Sequence, residues 1–336
     1  MIRKANQNDI QGIMQFIDSY WKKGHILGVD QDFFEYEHRY ADEVNYIISI
    51  DEYNNIEAIL GYIPYGRLNR DVMTVMWKVK RNDKPLLGVQ LLEYLIGNCD
   101  VRIVASPGIN QKTIPIYEYL GYTVGKLKHY YRLNKYGKFK IAQIQDDRVL
   151  SLVEDEIPYS LQPIHCMEEL MGIFSFSEYK SRNPKPYKEP WYIEKRYFNH
   201  PIYTYKVLGV KDDLGIVEAV LFTREVSCKS SKILRIMDFI GNVEKLNHIS
   251  NDIDIIIQNN NYEYVDFYQS GIPNEIMESA GFILKDPKHN IIPNYFEPFV
   301  PENIDIYYFS TDKDIVLFKA DGDQDRPSTP RINNIT

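Results

Sequence analysis

Two stretches of this chain, about 160 residues apart, carry the same order of apolar patterns, and each ends on a glycine between an apolar and an aromatic residue. The endings are Leu120-Gly121-Tyr122 and Ala280-Gly281-Phe282. From Trp77 to Gly121 is 44 residues, and from Phe239 to Gly281 is 42. A repeated supersecondary pattern at one period is the mark of a duplicated unit. The chain therefore reads as a tandem duplication of one α/β unit.

The elements follow from periodicity. In the first half, residues 8–22 place Ile10, Ile13, Met14, Ile17 and Trp21 at helical steps, with Asp9 as a cap. Strands are expected at 44–50, 57–63, 72–79 and 101–106, helices at 86–96 and 114–120, and a strand or hairpin at 123–133. The second half gives strands at 203–210, 216–222, 232–240 and 262–269, and helices at 243–257 and 273–280. The expected fold class is α/β, in two tandem domains, each a twisted mixed sheet flanked by helices. Boundaries are expected at 1–136, 137–320 and a surface tail, 321–336. Residues 181–201 hold four prolines and seven charged side chains among aromatics, and read as a crossing loop or short helix.

Length and composition agree. At 336 residues, 44% apolar and 26% charged, the chain can bury two cores. Its net charge is −8, a poor basis for generic nucleic-acid binding. Cys99, Cys166 and Cys228 are few and far apart, which suggests a reducing compartment and neither a disulfide framework nor a metal site. No apolar run approaches the roughly 20 residues of a membrane span, and the start has no apolar signal core. A cytoplasmic protein is expected, as monomer or dimer.

Several residues are candidates for chemistry. A strand, a turn near Gly88 and a helix run over Trp77–Ile96, which reads either as an ordinary strand–helix connection or as a helix N-terminus whose amides bind an anion. Lys80, Arg81 and Lys84 add charge. The matching turn of the second half, Gly241 to Glu244, puts an acidic residue where phosphate would go. His25, four residues after Trp21, is a natural base near neutral pH, and His129 is a second choice. The run DGDQDRP (321–327) reads either as a solvated acidic turn or as a set of ligands, Asp321, Asp323, Asp325 and Arg326, for sugar hydroxyls and phosphate. Calcium-loop spacing fails there.

The segment from Asn110 to Tyr122 (NQKTIPIYEYLGY) resembles the GNAT superfamily of acyl-CoA-dependent N-acyltransferases. The resemblance implies that the strand–turn–helix holds the CoA pyrophosphate, that Asn110 lies near the pantetheine arm and Tyr117 near the thioester sulfur. It implies CoA contacts at Trp77, Lys78, Val79, Lys80, Leu87, Gly88 and Val89, with Tyr117 protonating the thiolate. Of the family's pyrophosphate pattern only Gly88 is present. No Asp or Glu occurs in 73–80, where the superfamily often places its base.

WKKGH (21–25), KLKHYY (126–131), NYFEP (294–298) and the DGDQDRP run resemble two-domain sugar-nucleotide N-acyltransferases. That resemblance implies a dTDP-linked 3-amino-3,6-dideoxyhexose as acceptor, in surface-glycan biosynthesis, with an acyl group that can be bulkier than acetyl, such as 3-hydroxybutanoyl. It implies acceptor contacts at Asn294, Tyr295 and Glu297, besides the acidic run, and no metal. Two alternatives are a non-catalytic tandem module for glycan binding or scaffolding and a transferase that moves amino acids from aminoacyl-tRNA to a cell-wall peptide. The charge of −8 disfavours the second.

Overall fold

The computed structural model describes residues 1–68, 70–80, 84, 86–146 and 159–330. Arg81, named above, lies outside them. Two mixed sheets flanked by helices make up the fold. The first runs, in spatial order, Ile2–Asn6, Glu43–Ile50, Ile56–Pro64, Asp71–Val79, Ile103–Pro107, Tyr307–Ser310 and Thr123–Lys126. The second runs Ile283–Leu284, Lys128–Leu133, Tyr264–Ser270, Ser231–Gly241, Val217–Cys228, Lys206–Lys211 and Ser160–Ile164. Each holds one parallel pair, Asp71–Val79 with Ile103–Pro107 and Ser231–Gly241 with Tyr264–Ser270. The crossover helices are Leu87–Asn98 and Ser250–Asn260, so the repeated pattern is a repeated βαβ unit.

The halves also exchange strands. Residues 123–133 are not a hairpin. Thr123–Lys126 stays in the first sheet, while Lys128–Leu133 crosses to the second and lies between Tyr264–Ser270 and Ile283–Leu284. Tyr307–Ser310 makes the reverse journey, into the gap between Ile103–Pro107 and Thr123–Lys126. The sheets thus cross the boundary expected at 136. Two further departures are local. The helix expected at 243–257 is a 3-10 turn, Val243–His248, followed by an α-helix from Ser250. The segment 321–328 is no surface tail: Asp321 and Asp325 are fully buried between the sheets.

The two repeat-ending glycines have left-handed backbones, Gly121 at φ +77° and Gly281 at φ +78°. A Cβ at Gly121 meets open space, whereas one at Gly281 lies 1.5 Å from the guanidinium of buried Arg132. Gly121→Ala should cost about 1 kcal/mol through conformation alone. Gly281→Ala should cost at least about twice that, read from urea unfolding midpoints.

The largest apolar cluster belongs to neither half alone. Ile13, Phe34, Tyr46 and Met73 pack with Tyr197, Phe222 and Met237. The crossing segment supplies Tyr187 from the loop before a short helix, Tyr192 from that helix, Pro190–Ile193, and Tyr197 from the turn after it. Both parallel pairs splay open. In the first half only Asp71, Val72 and Met73 pair with the neighbouring strand. Beyond them a bulge interrupts the register, with Met76 at φ +50°. In the second half the splay is filled by Leu317–Phe318, which pairs with Gln269 and Ser270.

Candidate functional site

A cavity of about 260 Å³ lies where the halves meet. Its walls come from the first-half helical segments (Trp21, His25, Phe33, Glu37), the bulge (Val75, Met76), the second sheet (Arg224, Arg235), and residues 294–297 and 319–328. It thus reaches the open end of the first-half splay. Ser106 Oγ bridges that opening by donating to the Thr74 carbonyl at 2.8 Å. The turn 322–324 packs on the other arm, since a Cβ on Gly108 would lie 2.8 Å from Asp323 Oδ1.

Six residues named from sequence line this cavity: His25, Asn294, Tyr295, Glu297, Asp323 and Arg326. Asp321 and Asp325, from the same run, are absent from its lining and hold the segment in place. Asp321 pairs with buried Lys188 at 2.8 Å. Asp325 pairs with Arg196 and Arg224, both at 2.9 Å, and accepts from the Tyr205 hydroxyl at 2.8 Å. His129 also lies apart, stacked on Tyr268 and 3.1 Å from Asp266, which in turn holds Arg235. Burial pushes His129 down to about 3.

The titratable walls differ in character. His25 Nδ1 accepts from the Leu27 amide at 3.2 Å, which leaves its hydrogen on Nε2. Burial, reinforced by Lys22, lowers it to about 4, so the ring is neutral at pH 7. Glu37 sits 3.3 Å from Arg326. Burial raises its carboxyl, but Arg326, Arg196 and Lys195 outweigh that and hold it at about 2. Asp323 is raised, chiefly by burial.

The residues assigned to CoA lie around the strand Asp71–Val79 and the helix start. Trp77 Nε1 donates to the Gly88 carbonyl at 3.1 Å, and a Cβ on Gly88 would press on the indole at 3.1 Å. Tyr117 is buried, stacked on Phe309 of the exchanged strand at 4.0 Å and 5.8 Å from the Trp77 ring. Burial raises its hydroxyl, so it stays protonated. Asn110 is exposed and caps the turn Gln111–Thr113, its Oδ1 accepting from the Lys112 amide. Lys78 and Val79 pair with Ile59 and Ala58. Val79, Lys80, Lys84 and Leu87 line a surface depression of about 690 Å³, and Val89 follows on the helix. Lys84 is paired with Glu57 at 2.6 Å, and Lys80 lies over Tyr20. At the second-half turn, Asn242 Oδ1 already accepts from the Glu244 amide.

Glu37, Arg224, Arg235 and Lys319 were not legible as site residues. For Lys319 the signal was a lone lysine in the apolar run IVLFKA (315–320). Among the described residues, no group of three His, Cys, Asp or Glu side chains is placed to hold a metal. Among the same residues no helix is long and apolar enough to cross a membrane.

No protein-family model matches the sequence, and no curated protein matches it. Solved structures do resemble the fold. One is a GCN5-related N-acetyltransferase from Anabaena variabilis, at TM-score 0.58 and 13% identity, over 92% of this chain and 72% of that one. Another is a protein of unknown function and probable N-acyltransferase from Enterococcus faecalis, at TM-score 0.56 and 8% identity, with the same coverage. The fold is therefore the tandem GNAT-type arrangement of two mixed sheets flanked by helices.

Proposed function

We propose that this chain is an acyl-CoA-dependent N-acyltransferase of the cytoplasm, with a nucleotide-linked amino-deoxyhexose, a dTDP-3-amino-3,6-dideoxyhexose, as acceptor. The observation that carries the reading is the cavity that joins both halves and ends on the Met76 bulge. The two solved structures of similar fold are described as an N-acetyltransferase and a probable N-acyltransferase, which supports acyl transfer. The sugar nucleotide rests on the resemblance of the WKKGH, NYFEP and DGDQDRP segments.

The acyl-CoA would run along Asp71–Val79 in the first-half splay. Met76 and Trp77 have no register partner on the neighbouring strands. Their amides are suited to the oxyanion that forms when an amine attacks the thioester. Asp323, Glu297 and Tyr295 would hold the sugar hydroxyls, and Tyr117 would protonate the departing thiolate. One CoA site follows, because Leu317–Phe318 fills the second splay. The test is thiol release from acetyl-CoA with a dTDP-linked 3-amino-3,6-dideoxyhexose, beside titration calorimetry with CoA. Turnover with micromolar binding is expected. Absence of CoA binding would leave a non-catalytic module.

Tyr117→Phe keeps the stacking on Phe309 and removes one hydroxyl. A CoA thiolate, with a thiol of pKa ~8.5, leaves fairly well unaided. The expected drop in kcat is therefore about tenfold to a thousandfold, with KM for acyl-CoA little changed. Wild-type kcat in a folded variant would end the acid role.

A further inference from the structure

Lys319 is the side chain in the cavity that packing alone does not explain. It follows Leu317–Phe318, the strand that fills the second-half splay, and its side chain lines the cavity beside Asn294 and Tyr295. The residue is 2% exposed. Lysines are almost never buried this far unless paired. Yet among the described residues no carboxylate lies within ion-pair distance of its Nζ, which donates to Asn294 Oδ1. The amine lies 5.1 Å from the Tyr268 ring centre and 5.8 Å from that of Tyr295.

We propose that the Lys319 amine is the general base of this site, taking the proton from the acceptor nitrogen as that nitrogen attacks the thioester. The proposal rests on the acyl-transfer reading above. The step balances. A nitrogen–carbon bond forms, the carbon–sulfur bond breaks, Lys319 becomes an ammonium, and the thiolate takes a proton from Tyr117. Both residues then re-equilibrate with solvent. The tyrosine faces and Asn294 Oδ1 are placed to receive the new ammonium.

The surroundings favour a neutral resting amine. Burial pushes it well below the ordinary lysine value. Arg235 and Arg224, on the second sheet, act in the same direction. Asp266, behind Arg235, and Asp325 oppose them, and Asp323 faces it from the following turn. The other candidates are poorer bases. Glu37 is held at about 2 beside Arg326. His25 has its acceptor nitrogen on the Leu27 amide. The strand 73–80 carries no carboxylate.

Two measurements on the full chain test this. In protein labelled at the lysine ε-carbon, the Lys319 signal, assigned by its loss in Lys319→Met, should titrate well below the exposed lysines. Titration together with the others would overturn the proposal, whatever the acceptor turns out to be. With acetyl-CoA and a dTDP-linked 3-amino-3,6-dideoxyhexose, Lys319→Met should lower kcat about 10²–10⁴-fold and remove the acidic limb of the pH profile. Its affinity for acetyl-CoA should stay within about twofold. A kcat within a few-fold of wild type would refute the base. If Lys319→Met does not fold, Asn294→Asp serves instead. A carboxylate against the amine should raise the Lys319 titration and shift the rate profile to higher pH. An unmoved profile would refute the proposal. A wild-type chain that binds acetyl-CoA but leaves this sugar unacylated would count against the acceptor alone, and the titration would still decide the base.

Discussion

Residues 1–136, expressed alone, should fail to fold, and the same fragment co-expressed with 137–336 should be recovered as a stoichiometric complex. The reason lies in the exchanged strands. Without Tyr307–Ser310, Ile103–Pro107 loses its outer neighbour and Thr123–Lys126 has nothing to pair with. Phe309 is fully buried and stacked on Tyr117, so its removal opens the first-half core at an aromatic contact. Burying such a ring is worth roughly 1.5–3 kcal/mol from area alone, before lost strand pairing is counted. At the same time Lys128–Leu133 would dangle, exposing Tyr130, Tyr131 and Leu133, all buried in the intact chain. An unpaired strand with that composition invites aggregation. A domain of ordinary stability has about 5–15 kcal/mol to lose. Size-exclusion chromatography and an amide-proton spectrum of the lone fragment decide the matter. A monomeric, dispersed, cooperatively melting 1–136 would show that the exchanged strand is dispensable.

This exchange marks where sequence reading stopped. The strands and the helix over 44–50, 57–63, 72–79 and 86–96 were legible, since apolar periodicity there reports local burial, whereas the helix Gln31–His38 and the strand Tyr307–Ser310 were not read. Partner choice is not local. Lys128–Leu133 fits either sheet by its alternation. It is held in the second by Arg132, whose guanidinium donates to Asp254 at 2.6 Å and to the Gly281 carbonyl at 2.7 Å. Those partners are 122 and 149 residues away. The acidic run behaved in the same way. Read alone, DGDQDRP resembles a solvated loop or a set of sugar ligands. In the structure its members alternate, with Asp321 and Asp325 on buried cations and Asp323 and Arg326 lining the cavity. The cations are Lys188, Arg196 and Arg224, about 100 residues or more earlier in the chain. His25, Asn294, Tyr295 and Glu297 line the cavity; the last three were singled out by the resemblance of the NYFEP segment, not by a local pattern. Lys319 was hidden because a lone lysine in an apolar run reads as a strand end.

Lys188→Ala should destabilise the chain by about 3–5 kcal/mol, more than Gly121→Ala or Gly281→Ala. Among the described residues Lys188 is the one cation between two fully buried carboxylates, contacting Asp238 and lying 2.8 Å from Asp321. Other donors complete the cluster. The Tyr197 hydroxyl donates to Asp238, and the Phe318 amide donates to Asp321 at 2.7 Å. One positive charge serves two carboxylates, and burial together with Asp321 lifts Asp238 to about 6 against the opposing pull of Lys188. The folded chain therefore binds a proton at Asp238 more tightly than the unfolded chain does. The contribution of Asp238 to stability is fully present below the ordinary carboxyl value of 3.8 and is lost as pH rises through 6. Deleting Lys188 removes the pull that limits this rise, so the fall extends to higher pH. The gap between wild type and Lys188→Ala should accordingly widen from pH 5 to pH 8. Lys188→Met, which refills the volume, should recover little by itself. Combined with Asp238→Asn and Asp321→Asn it should recover most, because no unpaired buried charge remains. Urea unfolding at the two pH values measures all of this, and a variant within about 1 kcal/mol of wild type at pH 8 would contradict it. The consequence reaches the cavity: Asp321 is two residues from Lys319, so a chain without Lys188 loses one of the two anchors of residues 319–326 and keeps that of Asp325 on Arg196 and Arg224.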